Sequence, residues 1–196
     1  MEINWLISAA LGVGLATAVG FRVFLPLLLL SLAARFDIVP VADSWEWVGS
    51  MTALILLATA SMVEILGYYI PWVDNLLDTL AVPLAGIAGT LVLVATLVDV
   101  DPYISWSLAI IAGGGTAALV AGSTATVRAA SSVTTGGLAN PAISSVETGV
   151  SGLMAILAIF APIIAIFVGV ILIYFTLKFW KRARRRKKHK STKRIQ

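Results

Sequence analysis

Apolar positions in this chain come in runs long enough to cross a bilayer, which takes about 20 residues of helix. Four stretches predict ordinary spans: about Trp47 to Tyr69, Leu76 to Val98, Tyr103 to Val127, and Val150 to Leu177. Pro71 ends the first and Asp99-Val100-Asp101-Pro102 ends the second, while Pro162 predicts a kink in the last. The six tryptophans, Trp5, Trp45, Trp47, Trp72, Trp106 and Trp180, stand at the ends of apolar runs. Their rings are apolar with one polar atom, which suits the headgroup level.

Two stretches break the pattern. Residues 3–34 are too long for one span and too short for two comfortable ones. Gly12, Gly14 and Gly20 loosen the first half, and Arg22 and Pro26 interrupt the middle. Residues 128–149 are small and weakly polar, with Arg128 and Glu147 near the ends. Irregular backbone at membrane depth survives only where protein or a wet cavity satisfies it. Both stretches are therefore expected to be broken or re-entrant helical elements. Each involves a small-residue helix leading to one arginine, Gly14 to Arg22 and Gly122 to Arg128. Internal repeats of that kind occur in transporters.

Composition supports an all-α integral membrane protein. The chain has 196 residues, of which 59% are hydrophobic and 12% charged. It has no cysteine, which excludes disulfides and thiolate metal sites. The net charge of +4 conceals an asymmetry. The tail from Lys178 to Arg194 carries 11 of the 14 basic residues, leaving three basic and ten acidic residues, net −7, elsewhere. The organisation is thus a transmembrane domain, 1–177, and a basic tail, 178–196. Such a tail attracts anionic lipid headgroups and resists translocation, so it belongs in the cytoplasm. On that basis the 128–149 element is expected near the outer face and Asp99-Val100-Asp101 on the inner one. No nucleic-acid partner is implied for the body. Glu2 stands where the basic region of a cleavable signal would be.

A few residues at depth could carry chemistry. An ionisable group inside a span is expensive and points to function by default. Arg22 lies in an otherwise uncharged stretch, and Glu64 follows sixteen uncharged residues, Val48 to Val63. The two could form a structural ion pair, or Glu64 could carry a proton or help hold a cation. Tyr68 lies at i+4 from Glu64 and on its face. Asp74 and Asp78 share a helix face, and Asp74 could cap a helix start. Between Arg128 and Glu147 lie Thr134, Thr135, Gly136, Gly137 and Asn140. Glycine-rich backbone can offer N–H groups to an anion, and arginines hold phosphate by charge-assisted bonds. The plainer reading makes Gly136-Gly137 a hairpin turn.

Other chemistries find no support. The one histidine, His189, is in the tail, so neither a transition-metal site nor a cofactor is expected. There is no Walker loop and no nucleophile elbow. Asp74-x-x-x-Asp78 matches the end of a phospholipid-transferase motif whose start is missing, and no enzyme is expected.

The set Gly20-Phe21-Arg22 with Leu25-Pro26-Leu27, Glu64…Pro71-x-x-Asp74-x-x-x-Asp78…Pro83-Leu84-Ala85-Gly86, and Thr134 to Pro141…Glu147 resembles a bacterial family. That family comprises multi-pass membrane proteins catalogued only as a domain of unknown function. The resemblance implies a place in the bacterial inner membrane and supplies no activity.

The residues themselves favour a small transporter or flippase for an anionic, phosphorylated lipid or amphiphile. Arg22, Arg128 and the 134–141 turn would hold the anion. Glu64, Asp78 and Glu147 would neutralise the arginines when empty, or carry coupling protons. A cation pathway on Glu64, Asp74 and Asp78 is the first alternative. A membrane scaffold with structural ion pairs is the second. Small residues such as Gly86 and Gly89 allow close helix approach, and a homo-oligomer is compatible with the sequence.

Overall fold

The computed structural model describes residues 2–175 and Lys178. Among these the chain is helical, with no strand. In order it forms α1 (Glu2–Val19), α2 (Phe24–Arg35), a 3₁₀ segment (Asp43–Gly49), α3 (Met51–Gly67), α4 (Pro71–Thr96) and α5 (Pro102–Leu108). A π segment (Ala109–Gly114) then leads to α6 (Gly115–Thr135) and α7 (Asn140–Phe160), and α8 spans Pro162–Phe175. Among the described residues three helices are long and apolar enough to cross a membrane: Trp72–Thr96, the continuous Pro102–Thr135, and Asn140–Phe160. The 3₁₀ segment and α3 form a pair bent by 62° that can serve as a fourth span. The protein is an all-α membrane protein.

Local chemistry sets the helix starts. Ser50 accepts from the Ala53 N–H at the start of α3, and Asp101 accepts from the Tyr103 and Ile104 N–H groups at the start of α5. Such caps satisfy N–H groups that have no partner within the helix. Pro71 and Pro102 stand at helix starts, where the missing N–H costs nothing.

Helix α1 is the central post. Leu15, Ala16, Ala18 and Val19 are fully buried, and α1 packs against α4, α6 and α7. Small residues let the other helices close in. A Cβ on Gly113 would lie 2.4 Å from the Gly89 carbonyl oxygen, so the Pro102–Thr135 rod and α4 touch backbone to backbone there. Glycine at this crossing permits van der Waals contact that any side chain would prevent.

Residues 3–34 are broken as the sequence implies. Helix α1 stops at Val19, α2 starts at Phe24, and Arg22 lies in the break. Residues 128–149 resolve differently from a separate element. They are the end of α6, a tight turn and the start of α7, so the third span runs to Thr135 and the next begins at Asn140. Hydroxyls in this stretch bond to their own helix: Thr134 donates to the Ala130 carbonyl and Thr135 to the Ser131 carbonyl. A Ser/Thr-rich sequence thereby stays helical. Gly136 and Gly137 then take φ of +64° and +87°, the left-handed turn that favours glycine.

The last apolar stretch is also corrected. Val150 to Leu177 is not one kinked span; Leu177 itself lies outside the described residues. Ala161 leaves the helical region with φ −144° and ψ 66°, and Pro162 opens a new helix. Cβ atoms added at Gly14 and Gly169 would meet Ala165 and Thr17 respectively. So α8 runs back along α1 in the same direction as α1, and Phe175 arrives beside Phe21, Ala142 and Val146. The 136–139 turn and the end of α8 therefore share one end of the molecule. The Asp99–Asp101 loop is at the other. This reverses the arrangement expected from a single last span.

The chain lacks cysteine, so single introduced cysteines report sides cleanly. Leu138 and Tyr103 are both highly exposed, at opposite ends. Leu138→Cys should react with an impermeant thiol reagent from the side that holds the tail, and Tyr103→Cys from the opposite side. Reaction of both from one side would overturn the α7–α8 reversal.

Candidate functional site: a buried six-charge cluster

The break after α1 delivers Arg22 into the helix bundle, where it is 1% exposed. Its Nε donates to Thr148 Oγ1 at 2.9 Å. Its Nη2 donates to the Ser144 carbonyl at 2.9 Å and to Ser144 Oγ, and lies 3.6 Å from Glu147 Oε2. Arg22 Nη1 is buried with no hydrogen-bond partner. The hydrogen-bond acceptors and the carboxylate that hold Arg22 come from one face of α7.

Arg128 on α6 is equally buried and more heavily paired. Its Nε and Nη2 form a two-pronged contact to Glu147, with Nε at 3.0 Å and Nη2 at 2.6 Å from Oε2. Its Nη1 donates to Asp74 Oδ1, and the same nitrogen lies 3.7 Å from Asp78 Oδ1. Asp74 also accepts from Asn140 Nδ2 at 3.0 Å. A planar guanidinium presents its donors in a fork that fits carboxylates in this way. Arg128 thus fastens α4 to α7 across α6.

Tyr68, just beyond α3, joins the two arginines. The Arg22 and Arg128 guanidinium carbons lie 3.9 Å and 4.2 Å from its ring centroid. Both distances fall within the range in which a ring face attracts a cation.

Glu64 does something other than pair with Arg22. Its two oxygens accept the Val23 N–H at 2.7 Å and the Phe24 N–H at 3.0 Å. These are the first N–H groups of α2. The carboxylate caps a half-helix that begins inside the bundle, where those donors have no partner within the helix. Asp74 likewise is no cap: the start of α4 has no side-chain cap, and Asp74 is given wholly to Arg128 and Asn140.

The cluster therefore contains two guanidiniums and four carboxylates, Glu64, Asp74, Asp78 and Glu147, for a net formal charge of −2. Asp78 is seven residues into α4, which puts the cluster about 10 Å from the tail-side end of the helices. Two spaces adjoin it. A small cavity of ≈ 10 Å³ touches Glu64, Tyr68, Asp78, Arg128 and Glu147. A larger apolar groove of ≈ 650 Å³ runs between α6 and α7, past Val127, Ile143, Val146 and Phe175. The two spaces share Phe21, Thr124 and Glu147.

Of the residues singled out in the sequence, Arg22, Arg128, Glu64, Asp74, Asp78, Glu147 and Asn140 converge here. Thr134, Thr135, Gly136 and Gly137 are in the turn at the helix ends. There the N–H groups that follow the glycines bond within the turn: Leu138 donates to the Thr135 carbonyl, and Asn140 to the Gly137 carbonyl. The Ala139 N–H goes to Thr135 Oγ1. The arginines and these donors are not brought together. Ser144 and Thr148 were missed by sequence reasoning. Asn140, Ser144, Glu147, Thr148 and Ser151 recur at helical spacing, a polar stripe that could have flagged this face of α7.

Glu147 is the hub, since it contacts both arginines. Glu147→Gln should destabilise the protein by about 3–5 kcal/mol, because it takes the carboxylate neighbour from Arg22 and the two-pronged charged partner from Arg128. Adding Arg128→Met should not restore that loss in a thermal unfolding assay in detergent, because buried Asp74 would then lose its guanidinium partner. Glu64→Gln should be milder, since its amide oxygen still accepts an α2 N–H. Parental stability of Glu147→Gln would show that the pairing is dispensable.

Comparison with known proteins adds a family and no activity. No curated protein and no solved structure matches the chain. One family does match, over residues 9–182, and its description reads "Domain of unknown function (DUF4126)". With the match spanning nearly all of the transmembrane body, the chain belongs to that family.

Proposed function

We propose that this protein is a small membrane carrier, a transporter or flippase, for an amphiphile with an anionic, phosphorylated headgroup. The observation that carries the reading is the junction of the two spaces. An apolar groove open along the side of the bundle ends on Glu147 and Thr124, beside Arg128. A lipid tail fits the groove chemically, and its headgroup would then reach the arginines.

The carboxylates occupy those arginines in the structure. A phosphate oxygen offers the same acceptors as Glu147, so it would compete for the same fork of donors. The excess of acid over base makes that exchange unfavourable until charge is neutralised. Proton uptake by the cluster supplies the neutralisation, which makes the carrier proton-coupled. The basic tail would hold its end of the molecule in the cytoplasm of a bacterial inner membrane, beside anionic lipids.

The net −2 charge favours one competing reading, a cation pathway through Glu64, Asp74 and Asp78. Against a resident metal ion, no group of three or more His, Cys, Asp or Glu among the described residues is placed to hold one.

Purified protein in liposomes should move a labelled anionic phospholipid faster than empty liposomes. Arg128→Lys should slow that movement by roughly tenfold or more, because a lysine cannot reproduce the paired charge-assisted bonds. Val146→Trp, at an exposed position in the groove, should slow it without loss of thermal stability. Lipid movement unchanged by both substitutions, together with a cation flux abolished by Asp78→Asn, would decide for the cation pathway.

A further inference from the structure

The four carboxylates of the cluster are not equivalent. Asp74 accepts from Arg128 and from Asn140. Glu147 accepts three times from Arg128 and lies near Arg22. Glu64 accepts two backbone N–H groups. Among the described residues Asp78 has one oppositely charged group within 4 Å, Arg128 Nη1 at 3.7 Å, beyond hydrogen-bond distance. That nitrogen is already committed to Asp74. Asp78 also lies one turn from Asp74 on the same face of α4, so the two like charges repel. Its side chain is 23% exposed, against 6% and 7% for Asp74 and Glu147.

The small cavity gives Asp78 a route for protons. Its ≈ 10 Å³ is about the room one water molecule needs. The lining supplies the polar groups that such a water requires, with Glu64, Tyr68, Asp78, Arg128 and Glu147 all facing it.

We propose that Asp78 is the proton-loading residue of the cluster, exchanging its proton through one water molecule in this cavity. This rests on the carrier reading and names the residue that takes up its coupling proton. The groups facing Asp78 are Asp74 on its own helix, Arg128 on α6, Glu147 on α7, Glu64 and Tyr68 at the end of α3, and Arg22 at the α1 break. A hydronium ion reaching the cavity gives its proton to an Asp78 carboxylate oxygen. An O–H bond forms there, a neutral water remains, and the cluster passes from −2 to −1. Arg128 then has two charged carboxylates near it instead of three, which frees it to accept an anionic headgroup.

Infrared difference spectroscopy tests this directly, on the full chain in lipid nanodiscs with no transport substrate added. Acidification should produce one protonated-carboxyl C=O band that shifts in D₂O. The band should vanish in Asp78→Asn, persist in Glu64→Gln, and reappear at an altered frequency in Asp78→Glu. The last variant guards against a misfolded Asn protein. Absence of any such band while the parent stays folded would overturn the proposal, and so would its survival in Asp78→Asn. If the band behaves as expected but no anionic lipid moves in liposomes, the carrier reading falls and Asp78 remains a proton site. If lipid moves and Asp78→Asn changes neither the spectrum nor the rate, the carrier stands and this proposal falls.

Discussion

Two arginine side chains buried in an apolar bundle dictate much of the rest of the structure. A guanidinium cannot lose its charge in a protein, and hydrocarbon offers it no acceptor. Every acceptor must come from another helix. The result is a set of cross-bundle contacts: α7 holds Arg22, α4 and α7 hold Arg128, and the Tyr68 ring beyond α3 lies against both. Segments far apart in the chain are drawn to one level in the bundle by this requirement. The apolar faces around them, which lipid would solvate as well as protein does, supply no comparable specificity.

The same constraint explains the broken first element. A chain that stops being helical between Val19 and Phe24 exposes N–H groups at depth. Glu64 answers two of them with two oxygens. The negative carboxylate also meets the positive end of α2. Arg22 can therefore leave the helical path and reach α7 without stranding the backbone. The break and the acid of α3 form one device.

Much of this was legible in the chain, and the failures have physical causes. The membrane class, the break around Arg22 and the singling out of Glu64, Asp74, Asp78, Arg128 and Glu147, which the fold brings together, follow from charge in apolar runs, a signal set by solvation alone. Partner choice was not legible. Arg22 and Glu64 are an obvious pair by sign, yet Glu64 goes to backbone N–H groups, because those donors have no alternative acceptor while Arg22 has Ser144, Thr148 and Glu147. The Ser/Thr-rich 128–149 stretch looked irregular because polar residues at depth usually mark irregularity. Its hydroxyls instead bond to carbonyls one turn back, and the helix persists. Pro162 was ambiguous for a further reason. A proline kinks a helix or opens a new one with the same local chemistry, and only the packing of Ala165 and Gly169 against α1 distinguishes the two.

The cluster is also placed asymmetrically, and that bears on how anything could reach it. On the tail side it lies about two helical turns from the helix ends. On the other side Val92, Leu93, Val94, Ala95 and Leu97 are all buried. At Gly89 and Gly113 the backbones meet with no room for a side chain. A polar headgroup approaching from the Asp99–Asp101 end would have to separate α4 from the Pro102–Thr135 rod along that seam. An approach from the side meets a different surface. Helices α6 and α7 share a turn but touch little beyond it, and the groove between them leads to Glu147 through apolar side chains. The arrangement thus sorts molecules by polarity before they meet the charges. A tail-bearing guest can lie in the groove with its polar end at the cluster, whereas a wholly polar one would lose its hydration along the whole path.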